Sequence, residues 1–227
     1  ALRGGATHYT PAAGIPELRQ TIAEHVGRAR GQSIDPAQVV VTPGAKPIMF
    51  FTIIALAEPG TEVIYPNPGF PIYESMINFV GAKPVPMPLR EERGFRFDVN
   101  ELADVVTDRT RLIILNSPHN PTGGMLEATD MEAIAQICVA RDIPVLADEV
   151  YEHLIYDGKF VSIATFPGMS AKERTIILNG FSKTYAMTGW RLGYGVMPLR
   201  MAEAVTRLMV NSNSCTNAAT QYAGVEA

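Results

Sequence analysis

Five reactive side chains stand just beyond apolar runs in this chain, where an open α/β sheet would present them to a ligand. Lys183 lies in Gly180-Phe181-Ser182-Lys183-Thr184, directly after the apolar stretch Thr175–Leu178, and Gly189-Trp190-Arg191 follows. Asp148 ends Pro144-Val145-Leu146-Ala147, with Glu149-Val150-Tyr151 immediately behind it. Upstream stands Asn116-Ser117-Pro118-His119-Asn120-Pro121-Thr122-Gly123-Gly124. A lysine that attacks a carbonyl to form an imine must be neutral part of the time, although its free pKa is about 10.4. Partial burial near another cation lowers that value, and Lys183, with Arg191 close in sequence, suits such a setting.

The other residue types complete a consistent chemistry. A carboxylate at a strand's carboxyl end, where open parallel sheets bind ligands, could keep a pyridine nitrogen protonated, and such a ring withdraws electrons from a carbanion. Asp148 has that position. Tyr151 and Asn120 could donate to an oxygen on the ring, and Phe70, in Asn67-Pro68-Gly69-Phe70-Pro71, could stack on its face. Phosphate needs backbone N–H donors at a helix start and a fixed cation. Thr42-Pro43-Gly44-Ala45-Lys46-Pro47 offers the turn, with Gly44 permitting close approach, Arg191 the guanidinium and Ser182 a hydroxyl. Each residue also has a plainer reading. Lys183 could be a solvated surface lysine, Asp148 a helix cap, Tyr151 and Phe70 core aromatics, and Asn120 a turn residue before proline. Neither Gly-x4-Gly-Lys-[Ser/Thr] nor Gly-x-Gly-x-x-Gly occurs, which weakens a nucleotide-binding dehydrogenase reading.

The elements that must position these groups follow from short β-rich runs alternating with helical periods, the pattern of a mostly parallel sheet. Strands are predicted at Gln38–Thr42, Glu62–Tyr65, Lys83–Met87, Arg111–Asn116, Pro144–Ala147, Thr175–Asn179 and Leu192–Val196. Helices are predicted at Ile15–Arg30, Lys46–Ala57, Ile72–Val80, Glu127–Arg141 and Leu199–Asn211. Pro16 and Pro47 fall in first turns, where proline is favourable, and Glu17 suits the positive helix end. The second helix is apolar on nearly every face and should be buried. Leu89–Phe97, the most charged stretch, should be an exposed connection before Asp98 caps a short helix. The expected fold is a three-layer α/β/α domain over residues 1–227.

With 227 residues, 47% of them hydrophobic, the chain can bury a sizeable core. A net charge of −4 without basic stretches argues against nucleic acid or anionic membrane as partner. The longest strongly apolar run, Pro47–Ala57, is shorter than the roughly 20 residues a membrane helix needs. Cys138 and Cys215 form no metal-ligand pattern and suit a reducing compartment, so a cytoplasmic location and no metal are expected. Ala1 follows no leader, and the chain stops at Gly224-Val225-Glu226-Ala227 without a helix-terminating signal, which reads as a piece of a longer protein.

Taken in order, these segments resemble the large domain of class I/II aminotransferases, the fold-type I pyridoxal-phosphate enzymes. The resemblance runs from Tyr9-Thr10-Pro11-Ala12-Ala13-Gly14-Ile15-Pro16-Glu17-Leu18-Arg19 to at least Val196. Its most specific parts are Asn120-Pro121-Thr122-Gly123, Asp148-Glu149-Val150-Tyr151, and Ser182-Lys183 with Gly189-Trp190-Arg191. It implies transfer of an amino group from an α-amino acid to a 2-oxo acid through a Schiff base of pyridoxal 5'-phosphate with Lys183, which would also shuttle the substrate Cα proton. Asp148 would pair with the pyridine nitrogen, Tyr151 and Asn120 would bind the ring oxygen, and Phe70 would stack. Arg191, Ser182 and the Gly44-Ala45-Lys46 turn would hold the phosphate. Tyr9 would reach the phosphate of a neighbouring subunit, implying a homodimer with shared active sites. Cis peptides are expected before Pro68 and Pro121. The family's N-terminal arm, and its small domain with the arginine that clamps the substrate carboxylate, have no counterpart here. A lyase or decarboxylase of the same fold and a non-catalytic ligand-sensing domain of a regulator remain as alternatives.

Overall fold

All seven predicted strands form, because each apolar run is bounded by turn residues; all but the edge strand Lys83–Pro88 are largely buried. They are β1 (Val39–Thr42), β2 (Glu62–Asn67), β3 (Lys83–Pro88), β4 (Thr110–Asn116), β5 (Val145–Asp148), β6 (Thr175–Gly180) and β7 (Gly193–Val196). The computed structural model describes the whole chain, residues 1–227. The strands make one sheet in the order β1-β7-β6-β5-β4-β2-β3. Pairings from β3 through β2, β4 and β5 to β6 are parallel, whereas β7 runs antiparallel to both β6 and β1. The sheet is therefore mixed and mostly parallel.

Seven α-helices cover it: α1 (Pro16–Arg30), α2 (Lys46–Leu56), α3 (Ile72–Phe79), α4 (Val99–Val105), α5 (Ala128–Arg141), α6 (Leu199–Ser212) and α7 (Ala218–Glu226). Pro16 starts α1, and Gly31 closes it in the left-handed conformation that a Cβ disfavours. The period-two alternation of the strands divides the core between the two faces. Val40, Leu112, Ile114, Leu146, Ile176 and Leu178 face α2, α3 and α6. Ile113, Leu115, Val145 and Ala147 face α4 and α5, while Val39, Val41, Ile177 and Tyr194 pack with α1. Helix α2 is largely buried, as its all-round apolarity requires.

Near the chain's start, the backbone N–H of Ile15 donates to Oε1 of Gln221 on α7 at 2.8 Å. The Gln221 amide in turn donates to Thr10 Oγ1 and to the Thr216 carbonyl, at 2.9 and 2.8 Å, and this side chain is fully buried. Gln221 thus caps the otherwise side-chain-free N-terminus of α1 from a helix at the far end of the sequence.

One stretch departs from its expected exposure. Leu89–Phe97 is charged in its middle, yet Leu89 and Phe97 at its two ends are buried in the core beneath α4 and α5. The charges ride on a 3-10 turn, Glu91–Arg93, between these two apolar anchors. Asp98 does cap α4, accepting from the Asn100 N–H at 3.0 Å. The peptides before Pro68 and Pro121 are cis, as expected, and so is the one before Pro118. No helix is long and apolar enough to cross a membrane.

Candidate functional site

Parallel strands β5 and β6 end side by side, so the residues that follow them face the same space. A cavity of about 390 Å³ opens there, against the start of α2, within the size range of small-molecule sites. Asp148, Tyr151, Asn120, Phe70, Ala45, Lys46, Ser182, Lys183 and Arg191 all line it. Gly44 does not line it but lies directly behind Arg191, and Tyr9 is elsewhere, its ring 88% exposed.

The floor of the cavity is an acid. Asp148 is buried at the end of β5, its side chain on the same sheet face as Leu146. Tyr73 of α3 donates its hydroxyl to Asp148 Oδ2 at 2.8 Å, across a wide gap in sequence. Burial pushes Asp148 up to about 6; the Tyr73 hydrogen bond and the Val150 N–H counter that, Glu149 adds to it, and Lys183 opposes it. Tyr73 is itself fully buried, and burial beside Asp148 raises its own hydroxyl well above the ordinary range. A neutral phenol therefore holds an ionisable acid in a dry setting, suited to a protonated ring nitrogen.

The cavity also presents a cation. Arg191 adopts a left-handed backbone, φ 53, unusual for a residue with a Cβ, and its Nη1 donates to the Thr188 carbonyl at 2.8 Å. Its guanidinium lies against the Gly44 backbone so closely that a Cβ at Gly44 would stand 2.1 Å from Nη2. Gly44 also has φ +88, so the turn before α2 needs glycine on two counts. The guanidinium, the Ser182 hydroxyl and the start of α2 line one cavity, and such groups are able to bind an anion.

Lys183 lines the same cavity as the acid and the cation. It is exposed, not partly buried as its sequence context implies, because β6 ends at Gly180 and the following turn carries it to the cavity mouth. Its Nζ lies 5.4 Å from the centroid of the Tyr151 ring, and Lys46 Nζ lies 5.1 Å from that of Phe70. Asn116, at the end of β4, links the neighbouring loop to this centre. Its Nδ2 donates to the Asp148 carbonyl at 3.1 Å, and its Oδ1 accepts from the Asn120 N–H at 2.8 Å. His119 beside it is held neutral, pushed down to about 4 by burial, and its Nδ1 meets Thr122 Oγ1 at 2.8 Å.

Tyr73, Asn116 and Thr188 are the contributors that the sequence reading missed. Tyr73 carried one usable signal: it falls on the buried stripe of α3 with Met76 and Ile77, where a hydroxyl requires a partner. Asn116 stands at a strand end, as Asp148 does. Nothing local distinguishes Thr188.

The family described as aminotransferase class I and II matches the chain over residues 1–227. A probable aspartate/prephenate aminotransferase of Aquifex aeolicus is 43% identical over 230 residues, all of this chain and 58% of that protein. An arginine–pyruvate transaminase of Pseudomonas aeruginosa is 44% identical over 92% of this chain and 52% of its own length. Among solved structures, an aromatic aminotransferase from Pyrococcus horikoshii superposes with a TM-score of 0.95 at 43% identity, covering 99% of this chain and 60% of that one. Aspartate aminotransferase from Thermus thermophilus with maleate gives 0.95 at 38% identity, over all of this chain and 58% of that one. The chain thus spans little more than half the length of the relatives it matches.

Proposed function

The chain belongs to the class I and II aminotransferases, and we propose that it forms the cofactor-binding large domain of a longer transaminase. That enzyme moves an amino group from an α-amino acid to a 2-oxo acid with pyridoxal 5'-phosphate. The observation that carries the reading is the convergence of Lys183, Asp148 and Arg191 on one cavity of about 390 Å³. The residues fit the group: the Gly44 cradle takes a guanidinium that a Cβ would displace, and the buried Asp148 carboxylate lines the same cavity, an acid suited to a ring nitrogen.

When bound, the cofactor supplies a carbonyl that condenses with amines and a pyridinium ring that draws electrons from substrate Cα. Asp148, its carboxylate oriented by Tyr73, would hold the proton on the ring nitrogen. Tyr151 and Asn120, which line the cavity, would donate to the ring oxygen, and Phe70 would stack on the ring. Arg191, Ser182 and the Ala45 and Lys46 amides grip the phosphate, so that substrate turnover leaves the cofactor in place. Lys183 Nζ would be the amine that condenses with the cofactor carbonyl, and the same nitrogen would carry the proton at substrate Cα. A second copy of the chain would contribute Tyr9 to the phosphate site; the 88% exposure of Tyr9 in the single chain supports that arrangement.

In the full-length protein containing this chain, adding single amino acids bleaches the visible absorbance of the bound cofactor, and Lys183→Ala removes both that response and any borohydride-reducible link. A covalent adduct retained at full occupancy in Lys183→Ala would overturn the assignment.

A further inference from the structure

On the sheet face opposite the cavity lies a buried charge cluster that the proposed chemistry does not use. Arg30, the last residue of α1, meets Glu149 and Glu152 through a single nitrogen, Nη2, at 2.7 Å from Glu152 Oε2. The three side chains are 2%, 4% and 5% exposed. Ser162 donates to Glu149, and Asn179 Nδ2 donates to the other oxygen of Glu152. Asn179 Oδ1 then accepts from the Gly180 N–H at 2.7 Å. His153 stands 3.7 Å from Glu152 on the exposed side, and buried Tyr194 backs the cluster.

The placement of these groups is the point. Glu149 follows Asp148 directly, and Glu149 and Glu152 bracket the turn that carries Tyr151 into the cavity. Gly180 lines the same cavity and begins the segment leading to Lys183. Two carboxylates against one guanidinium are an unfavourable way to fill a core, since desolvating ions offsets their attraction. Burial raises Glu149 above the usual carboxylate range even with Arg30 beside it. Apolar side chains would hold α1 to the sheet at less cost. What they could not do is bind two particular loop positions in fixed directions.

We infer that Arg30 is a positioning residue for the reaction: through Glu149, Glu152 and Asn179 it locks the ends of β5 and β6, and so fixes Tyr151 and Lys183 relative to Asp148. The inference rests on the reading of those three as cofactor residues, but the lock itself can be measured without cofactor. In the cofactor-free full-length protein, Arg30→Met should speed amide hydrogen exchange at Glu152 and Gly180 by ~10-fold, a lost hydrogen bond's worth, while Ile113 in β4 keeps its rate. After loading with pyridoxal 5'-phosphate, the pH midpoint of its visible absorbance should move by about half a unit or more. Arg30→Lys should restore it partway, because one nitrogen serves both carboxylates. Uniform acceleration at all three amides, or an unmoved midpoint, reduces Arg30 to a stability element and overturns the inference. Should Arg30→Met fail to fold, the nearly isosteric Asn179→Leu, which cuts the ties to Gly180 and Glu152 while keeping all three charged residues, decides by the same exchange at Glu152 and the same midpoint. A parent protein that takes up no visible absorbance defeats the cofactor reading instead, and leaves the exchange result standing.

Discussion

At Asp148 the fold retains a proton that the unfolded chain has already released. Its ordinary value is 3.8 and burial pushes it up to about 6, so between those pH values the folded state binds more protons. The stability this group allows is complete below the lower value and is lost as pH rises through the upper one. Two units correspond to about 3 kcal/mol. In cofactor-free protein, Asp148→Asn, which still accepts from Tyr73, should gain up to about 3 kcal/mol in urea unfolding at pH 7.5 and almost nothing near pH 4. Equal gains at both pH values would mean that the carboxylate is not the source of the cost. Tyr73→Phe acts in the other direction. Losing a hydrogen bond to a charged group, about 1.5–3 kcal/mol, should raise the Asp148 ionisation by about one unit or more in a carbon NMR titration. A midpoint that stays put would show the phenol to be incidental.

The elements bring these residues together by stopping where they do. Helix α2 begins at Lys46 so that Gly44 can lie under Arg191, and Gly193 in β7 is equally constrained, since its Cβ would stand 2.4 Å from the Ala45 nitrogen. Gly44→Ala should weaken cofactor binding by ~10–100-fold in equilibrium dialysis, because ~1–3 kcal/mol of guanidinium contact is displaced. Binding within two-fold of the parent would remove the cradle from the account. Strand and helix positions were legible in the sequence because each carries its own period, and the strand-end residues Asp148, Asn120 and Lys183 were legible because ends are local. Tyr73 and Arg30 were not, because their partners lie far along the chain. Arg30 nevertheless continues the buried series Leu18, Ile22 and Val26 at four-residue steps, so a charge on that stripe called for an acid within the fold. Leu89 and Phe97 were misjudged because the charges between them hid two anchors. Lys183 was misplaced because sequence shows the strand before it but not how far the next turn swings outward.

Across the whole molecule, Gln221 joins the first helix to the last. Gln221→Leu would leave the Ile15 N–H buried without an acceptor and should cost about 1–3 kcal/mol in urea unfolding. An unchanged midpoint would mean that water replaces the amide there. Strand β5, fourth of seven in the sheet, has a subtler influence. It is buried on both sides and reads Val-Leu-Ala, so a slip by one place exchanges oil for oil and gains no penalty from hydrophobicity. The acids that follow are what differ: a strand slipped one way would offer glutamate to Tyr73 and valine to Arg30, and slipped the other way alanine to Tyr73 and aspartate to Arg30. Correct threading of the central strand is thus proofread by the very side chains on which catalysis depends, and a variant that neutralises both acids would lose its bookmark as well as its chemistry.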